Sequence, residues 1–191
     1  HRLQVVLTNA LERSPECASE ARGAAETEAK LADTIKHHAA ISVVLGNPPY
    51  DRVRAEEGER FWVLNGTVPG RESQHSLFDD ILDVARAHTI FSHHASLYNL
   101  YVYFWRWALW RTFEMRPDVP GIVSFITPSS WLSGPGFVGL RQRARSVADK
   151  MWVVDLGGDN KSTTPDPNIF DIETPVAITT VLSTGTSTTA R

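Results

Sequence analysis

The chain has 191 residues, of which 42% are hydrophobic and 21% are charged, a balance typical of one soluble globular domain. No apolar run reaches the roughly 18 residues that a membrane span needs, and the first residues lack the features of a secretory signal, so we predict a cytoplasmic protein. The net charge of −3 does not by itself indicate a nucleic-acid-binding protein. The single cysteine, Cys17, has no second thiol for a disulfide or a metal site, and we interpret it as an inert surface residue.

The first third of the chain predicts a strand, a helix and a second strand. Residues 2–9 are rich in β-formers and end on Asn9, and residues 15–38 carry Ala, Glu and Lys at helical spacing. Residues 40–46 form a continuous apolar run, which is typical of a strand buried on both faces. Because a helix separates the two strands, we expect them to be parallel.

The middle of the chain predicts a long loop followed by two helices. Residues 51–76 are charged and interrupted by glycine and proline, which indicates a loop insertion. Residues 77–87 predict a short helix, and residues 96–115 predict a longer, aromatic one. The aromatic rings could stack on bases, but their helical spacing favours packing of this helix onto a sheet.

The last part of the chain predicts three strands. They occupy residues 121–128, where Pro128 ends the strand, residues 151–158 and residues 174–183. The order of elements indicates an α/β domain over residues 1–183 with a mostly parallel sheet, followed by a flexible tail at 184–191.

Polar residues follow three of the predicted strands. Because ligands bind at the carboxyl ends of strands in open α/β sheets, these residues should lie along one rim. They are Asn9, the segment 47–50, Thr127, Ser129 and Ser130.

The segment Asn47-Pro48-Pro49-Tyr50 is the chemically unusual member of this set. Each proline fixes φ near −65° and removes an N–H, so the turn is stiff and leaves carbonyl oxygens as acceptors. A conjugated amine has two protons to give and a weakly nucleophilic nitrogen. The Asn47 side-chain oxygen and the Pro48 carbonyl could each accept a hydrogen bond from one N–H of the amine. Both hydrogen bonds would then strengthen as positive charge grows on the attacking nitrogen.

Tyr50 can lay its ring against a planar substrate. Such stacking is worth about 1 to 3 kcal/mol per base, the same order as the cost of extruding a base from a duplex. The motif therefore predicts modification of an amine on a flat, flipped substrate.

A short basic segment lies near the end of the chain, between residues 141 and 150. Its cations are Arg141, Arg143, Arg145 and Lys150. They are candidates for phosphate contacts in a nucleic acid, with a solvated helix surface as the alternative.

Several of these segments resemble one protein family. The stretch "VVLGNPPY" resembles motif IV of amino-methyltransferases that use S-adenosylmethionine, and "LTNALE", "NLYVYFWRWAL", "GIVSFITPSSWL" and "VVDLGG" resemble neighbouring segments of adenine-specific DNA methyltransferases of restriction-modification systems, especially large single-chain enzymes. The resemblance implies a Rossmann-like methyltransferase fold. It also implies transfer of a methyl group from S-adenosylmethionine to the N6 amine of a flipped adenine in double-stranded DNA.

The resemblance assigns roles to individual residues. Asn47 and Pro48, with Pro49 in the same turn, would hold the target amine, and Tyr50 would stack on the adenine. Asn9 would touch the cofactor, at a position where the family more often has an acidic residue. No metal site is implied.

The same tetrapeptide also marks enzymes that methylate glutamine in release factors or amines in ribosomal RNA, so these substrates stay open. A bare strand terminator is the structural alternative. An inactive remnant, or a DNA-binding piece, is the alternative for the chain as a whole.

The glycine-rich turn that holds the cofactor in such enzymes should precede motif IV by more residues than this sequence has. The one later candidate, "VVDLGGDN", is followed by two prolines and a strand instead of a helix, so we predict a hairpin there. Because the sequence also starts without methionine, we expect a longer parent with further N-terminal and target-recognition parts.

Overall fold

The computed structural model describes residues 5, 8–12, 23–54, 61–66, 76–87, 91–159, 163, 166–170 and 172–185. Its helices are α1 (Ala24–His37), α2 (Trp62–Asn65), α3 (Asp79–Ala87), α4 (Leu100–Leu109) and α5 (Val138–Val147). Short 3-10 helices lie at Phe91–Leu97, Ser129–Leu132 and Pro135–Phe137, and a π-helical turn at Trp110–Glu114 continues α4. Within this part of the chain, no helix combines the length and the apolar character that a membrane crossing requires.

Four strands form one sheet: β1 (Val43–Gly46), β2 (Gly121–Pro128), β3 (Lys150–Asp155) and β4 (Val176–Ser183). Their spatial order is β1-β2-β4-β3, with β1 parallel to β2 and β4 antiparallel to both β2 and β3. The sheet is therefore mixed, and the expectation of a mostly parallel sheet is wrong. The reason is that the described residues between β3 and β4 contain no helix, so the two strands pair as a hairpin whose second strand inserts beside β2.

The predicted strand 40–46 is present but its environment was predicted wrongly. β1 lies at an edge of the described sheet, where Val43 and Leu45 are 54% and 70% exposed. In the register of the sheet, Leu45, Ser124, Thr180 and Trp152 form one row, and Trp152 is also exposed. One face of the sheet thus presents apolar side chains to solvent.

The opposite face of the sheet carries the core. Trp105 of α4 is fully buried and meets Phe125 of β2 with ring centroids 4.9 Å apart and Trp131 at 5.0 Å. This confirms that the aromatic helix packs onto the sheet. Its predicted start was wrong, because Phe91–Leu97 is a 3-10 helix and Asn99 is extended before α4 begins.

An ionic cluster joins the helices beneath this core. The fully buried Arg106 donates to Glu114 at 2.6 Å, to Asp80 at 3.2 Å and to the carbonyl of Leu77 at 2.9 Å. Arg143 of α5 donates to the same Glu114 at 2.9 Å. Three helices and the π-helical turn are therefore cross-linked through charge-assisted hydrogen bonds.

The remaining predictions meet the described residues only in part. Val5, Thr8 and Asn9 are not in a strand, and the rest of the predicted strand 2–9 lies outside the described residues. Helix α1 occupies the C-terminal part of the predicted helix 15–38, while Cys17 and residues 186–191 also lie outside. Pro128 ends β2, as predicted.

Candidate functional site

The chain leaves β1 through the turn 47–50. Gly46 ends the strand where an added Cβ would come within 3.2 Å of the Phe125 ring, so a small residue suits this close approach. Pro48 is buried, whereas Asn47 and Pro49 are exposed. Among the described residues, no backbone N–H donates to the carbonyls of residues 47–49. The turn therefore presents acceptors, as its two prolines predict.

After the turn, the chain is hydrogen-bonded to the segment at the start of α4. The Val53 N–H donates to the Tyr98 carbonyl at 3.0 Å, and the Leu100 N–H donates to the Asp51 carbonyl at 2.9 Å. The turn is consequently held at both ends, by β1 on one side and by this antiparallel bridge on the other.

Tyr50 closes back over the turn. Its hydroxyl donates to Oδ1 of Asn47 at 3.0 Å and lies 3.4 Å from the carbonyl oxygen of Ile126. Partial burial raises the pKa of the Tyr50 hydroxyl, so this group stays protonated and remains a donor at neutral pH. Oδ1 of Asn47, which we expect to accept a hydrogen bond from the substrate, therefore already accepts one from within the protein.

The Tyr50 ring packs against the ring of a second tyrosine. It meets Tyr101 edge-on, with centroids 6.5 Å apart and an interplanar angle of 85°. Burial raises the pKa of Tyr101 to about 12, against the opposing effect of a hydrogen bond with Ser130. Tyr50, Tyr101 and Ser130 thus connect the end of β1 to the end of β2.

Asn9 sits in a tight turn of its own. Its side-chain Oδ1 accepts the N–H of Leu11 at 3.0 Å, and its carbonyl accepts the N–H of Glu12 at 3.4 Å. An Asx turn of this type fixes the direction of the amide side chain.

Asn9 and the Asn-Pro-Pro-Tyr turn meet at a cleft of about 470 Å³. Pro49 contributes from the turn, and Phe61, Leu100 and Phe104 supply apolar walls. A second hollow of about 280 Å³ lies beside β1, with Pro49 and Phe104 shared between the two. Of the segment 47–50, Pro49 lies at the same cleft as Asn9, whereas Asn47 and Pro48 line the second hollow.

The three hydroxyl residues after β2 do not stay together. Thr127 is buried, and its Oγ1 lies 3.4 Å from Nε1 of Trp105, so it belongs to the core. Ser129 donates its N–H to the Pro175 carbonyl at 2.9 Å. Of the three, Ser130 is the one connected to Tyr50, through Tyr101.

The four basic residues of the segment 141–150 have different environments. Arg141 donates to the carbonyls of Trp131 and Gly134, and Arg143 belongs to the ionic cluster. Arg145 and Lys150 are exposed. Phosphate contact by this segment stays a prediction, and exposure favours the last two residues.

The glycine pair after β3 belongs to a hairpin, as predicted. β3 and β4 pair antiparallel from Lys150 to Asp155, and Gly157 and Gly158 have positive φ. Their N–H groups are bound by carboxylates of Asp155 and Asp166, both at 3.0 Å. These donors are engaged within the connection, which argues against a cofactor cradle at this turn.

Several residues around the cleft escaped sequence reasoning. Phe61, Leu100 and Phe104 line it, and Lys36 of α1 reaches the backbone of the Asn9 turn. The available signal for Lys36 was its spacing, since it lies four residues after Ala32 on the buried face of α1.

The sheet, the stiff turn at the end of β1 and the adjoining cleft define an α/β domain with a cleft beside the end of β1. The family model of the Eco57I restriction-modification methylase matches residues 8–161. The chain therefore belongs to the Eco57I restriction-modification methylase family. None of the curated proteins compared with the chain matches it.

Solved structures share the fold. The chain is similar to the DrdV–DNA complex, with 23% identity and a TM-score of 0.61 over 94% of this chain and 17% of that one. It is also similar to the ATP-dependent Type ISP restriction-modification enzyme LlaBIII bound to DNA, with 22% identity and a TM-score of 0.64. That match covers 94% of this chain and 12% of LlaBIII. A third similar structure is a nuclease-deletion mutant of the Type ISP restriction-modification enzyme LlaGI in complex with a DNA substrate mimic, with 20% identity and a TM-score of 0.60. That match covers 83% of this chain and 14% of the LlaGI chain. The chain spans less than a fifth of each of these proteins.

Proposed function

We propose that this chain is the catalytic segment of a DNA adenine methyltransferase of a restriction-modification system. The substrate is the N6 amine of an adenine flipped out of double-stranded DNA. The observation that carries the proposal is the stiff turn 47–50: Asn47 and Pro48 line the hollow beside β1, and Pro49 is shared between that hollow and the cleft lined by Asn9. Family membership supports methyl transfer, and two of the similar solved structures, DrdV and LlaBIII, are complexes with DNA.

The turn holds the target nitrogen by accepting hydrogen bonds from its two N–H groups. Oδ1 of Asn47 and the carbonyl of Pro48 each take one N–H of the amine, which orients the nitrogen lone pair toward the methyl donor. Positive charge grows on the nitrogen as the new N–C bond forms, while the S–CH3 bond of the donor would break with its electron pair left on sulfur, and the surplus N–H proton would then pass to solvent. Both acceptors therefore stabilise the transition state more than the ground state. Because Pro48 is buried and both prolines restrict φ, these acceptors need little reorganisation during the reaction.

Tyr50 has two contributions. Its ring supplies a stacking surface for the extruded base, and its hydroxyl fixes the orientation of the Asn47 amide. A carbonyl oxygen has two acceptor positions, so Oδ1 can accept from Tyr50 and from the substrate amine at once.

S-adenosylmethionine supplies the methyl group as an electrophile when it is bound. The described residues fit one end of this molecule, since the cleft offers the polar Asn9 among the apolar walls of Phe61, Leu100 and Phe104. A flat purine suits such a surface. The remaining contacts to the donor would come from a further part of the parent protein, whose relatives are much longer.

The parent would also supply the parts that recognise the target sequence. Exposed cations on this chain, Arg145 and Lys150, are candidates for contact with the DNA backbone.

The test is methyl transfer by the parent protein to DNA, RNA and protein acceptors, with Asn47→Ala as the diagnostic variant. Loss of one positioned acceptor should lower the rate about a hundredfold or more, by analogy with removal of an oxyanion-hole donor. Asn65→Ala, at the exposed end of α2, is the matched control and should leave the rate unchanged. Undiminished DNA methylation by Asn47→Ala contradicts the mechanism, and transfer only to RNA or protein contradicts the substrate.

A further inference from the structure

The Asn9 turn is closed by a buried cation. Lys36 is only 6% exposed, and its Nζ donates to the carbonyls of Asn9 at 3.1 Å and of Glu12 at 3.0 Å. These two carbonyls belong to the first and last residues of the turn. One ammonium group therefore holds both ends of the segment that carries the Asn9 amide.

The backbone of Lys36 is in turn held by Arg111. Arg111, 2% exposed in the π-helical turn, donates through Nε to the Lys36 carbonyl at 2.8 Å and through Nη2 to Ile35 and Ala39. These are carbonyls at the C-terminal end of α1, which a cation stabilises. These hydrogen bonds connect the π-helical turn that continues α4, through α1, to the Asn9 turn.

The Asn9 turn is also held from its other side. The Leu11 carbonyl accepts the Trp62 N–H at 3.0 Å at the start of α2, next to Phe61 of the cleft wall. Within the described chain, α1 and α2 thus both hold the backbone of the Asn9 turn.

The use of a lysine at this position is informative. Burying an ammonium group costs free energy unless it is hydrogen-bonded, and an apolar residue would pack on the same helix face as Ala32 without that cost. Here the ammonium group is hydrogen-bonded, and its partners are the carbonyls of the turn that carries Asn9.

We propose that Lys36 is a positioning residue for the cofactor end of the cleft. It holds the Asn9 turn so that the Asn9 amide is oriented toward the bound S-adenosylmethionine, and it acts through the backbone without touching the ligand. This inference rests on the proposed function, since it takes the cleft as the site of the methyl donor.

The first experiment measures binding of S-adenosylmethionine to the parent protein by calorimetry, together with KM and kcat. Lys36→Met should raise the Kd and KM for S-adenosylmethionine tenfold or more, with kcat at saturation changed less than about threefold. Lys36→Arg should restore most of the affinity, because guanidinium can also donate to two carbonyls. Lys30→Met, an exposed lysine of the same helix, is the matched control and should bind as the wild type does.

A double-mutant cycle shows whether Lys36 acts through Asn9. In an Asn9→Ala background, Lys36→Met should change the Kd much less than it does alone, because the group being positioned is gone. Additive effects overturn the proposal, as does wild-type affinity in Lys36→Met.

Hydrogen exchange separates this proposal from the proposed function. In Lys36→Met, the amides of Leu11 and Glu12 should exchange tenfold or more faster while those of β2 and β4 do not change. If the wild-type parent does not bind S-adenosylmethionine, the proposed function fails and exchange alone decides whether Lys36 orders the turn. Unchanged exchange overturns the inference. Lys36→Gln, tested to the same expectation, replaces Lys36→Met if the latter does not fold.

Discussion

The Tyr50 hydroxyl donates a hydrogen bond to Oδ1 of Asn47 at 3.0 Å, inside the turn that follows β1. This bond joins the proposed stacking residue to the proposed amine acceptor. The amide of Asn47 is therefore oriented before any substrate arrives, and the ring and hydroxyl of Tyr50 can be tested separately.

Tyr50→Phe and Tyr50→Ala should differ in their effect on methyl transfer. Phenylalanine keeps the stacking surface and loses only the bond to Asn47, so we expect a rate loss of about tenfold or less. Alanine also removes stacking worth about 1 to 3 kcal/mol, a further factor of about 5 to 150. The measurement is single-turnover methylation, with 2-aminopurine fluorescence at the target to follow base flipping. Equal losses in both variants would contradict a stacking role.

Glu114→Gln should destabilise the fold severely. Burial alone raises the pKa of Glu114, but the charges of Arg106 and Arg143 and their hydrogen bonds outweigh it and hold the pKa below its usual 4.5. Loss of the carboxylate leaves the buried Arg106 without its main counter-charge, at a cost of about 3 to 5 kcal/mol in the free energy of unfolding. Urea unfolding at pH 7 measures this loss.

The matched control is Asp83→Asn, which removes an exposed pair with Arg86 and should cost less than about 1 kcal/mol. Because the folded pKa of Glu114 is lowered, its stabilisation is present above the unfolded pKa and is lost as the pH falls through the folded value. Equal stability of wild type and Glu114→Gln at pH 7 would show that the cluster contributes little.

Tyr101→Phe should flatten the loss of stability at alkaline pH. Burial raises the pKa of Tyr101 to about 12, so the folded state keeps a proton that the unfolded state releases near 10. The contribution of this proton is full below pH 10 and falls between pH 10 and 12, by about 3 kcal/mol at most. We expect the gap in Tm between wild type and variant to shift in favour of the variant across this range. A constant gap would contradict the burial of this hydroxyl.

Arg145→Gln with Lys150→Gln should weaken the salt dependence of DNA binding by the parent protein. Each lost phosphate contact reduces the slope of log K against log salt by about 0.9, without changing sequence preference. Arg86→Gln, an exposed arginine of α3, is the control and should leave the slope unchanged. Binding curves at several salt concentrations give the slopes. An unchanged slope in the double variant would favour a solvated helix surface.

The local features were predictable from the sequence because neighbouring residues determine them. Two prolines after an apolar run are enough to end a strand in a stiff, acceptor-rich turn, and β1 and the turn 47–50 follow that pattern. The strand ended by Pro128 and the hairpin of β3 and β4 were equally readable, since each depends on a short, continuous pattern.

Arrangement between distant segments was decided by the tertiary structure. The position of β4 between β2 and β3 makes the sheet mixed, and no local pattern contains that choice. Arg143 reads as a surface cation in its own segment, yet Glu114, 29 residues away, binds it. Lys36 reads as a helix lysine until the fold brings it to the Asn9 turn, 27 residues earlier.

The sequence by itself determined the chemistry of the turn at Asn47 and the elements that flank it. Which groups surround that turn was decided only when α1, α4 and the sheet packed together. The physical reason is that backbone stiffness and side-chain chemistry are local properties, whereas burial and charge pairing depend on contacts between residues far apart in the chain.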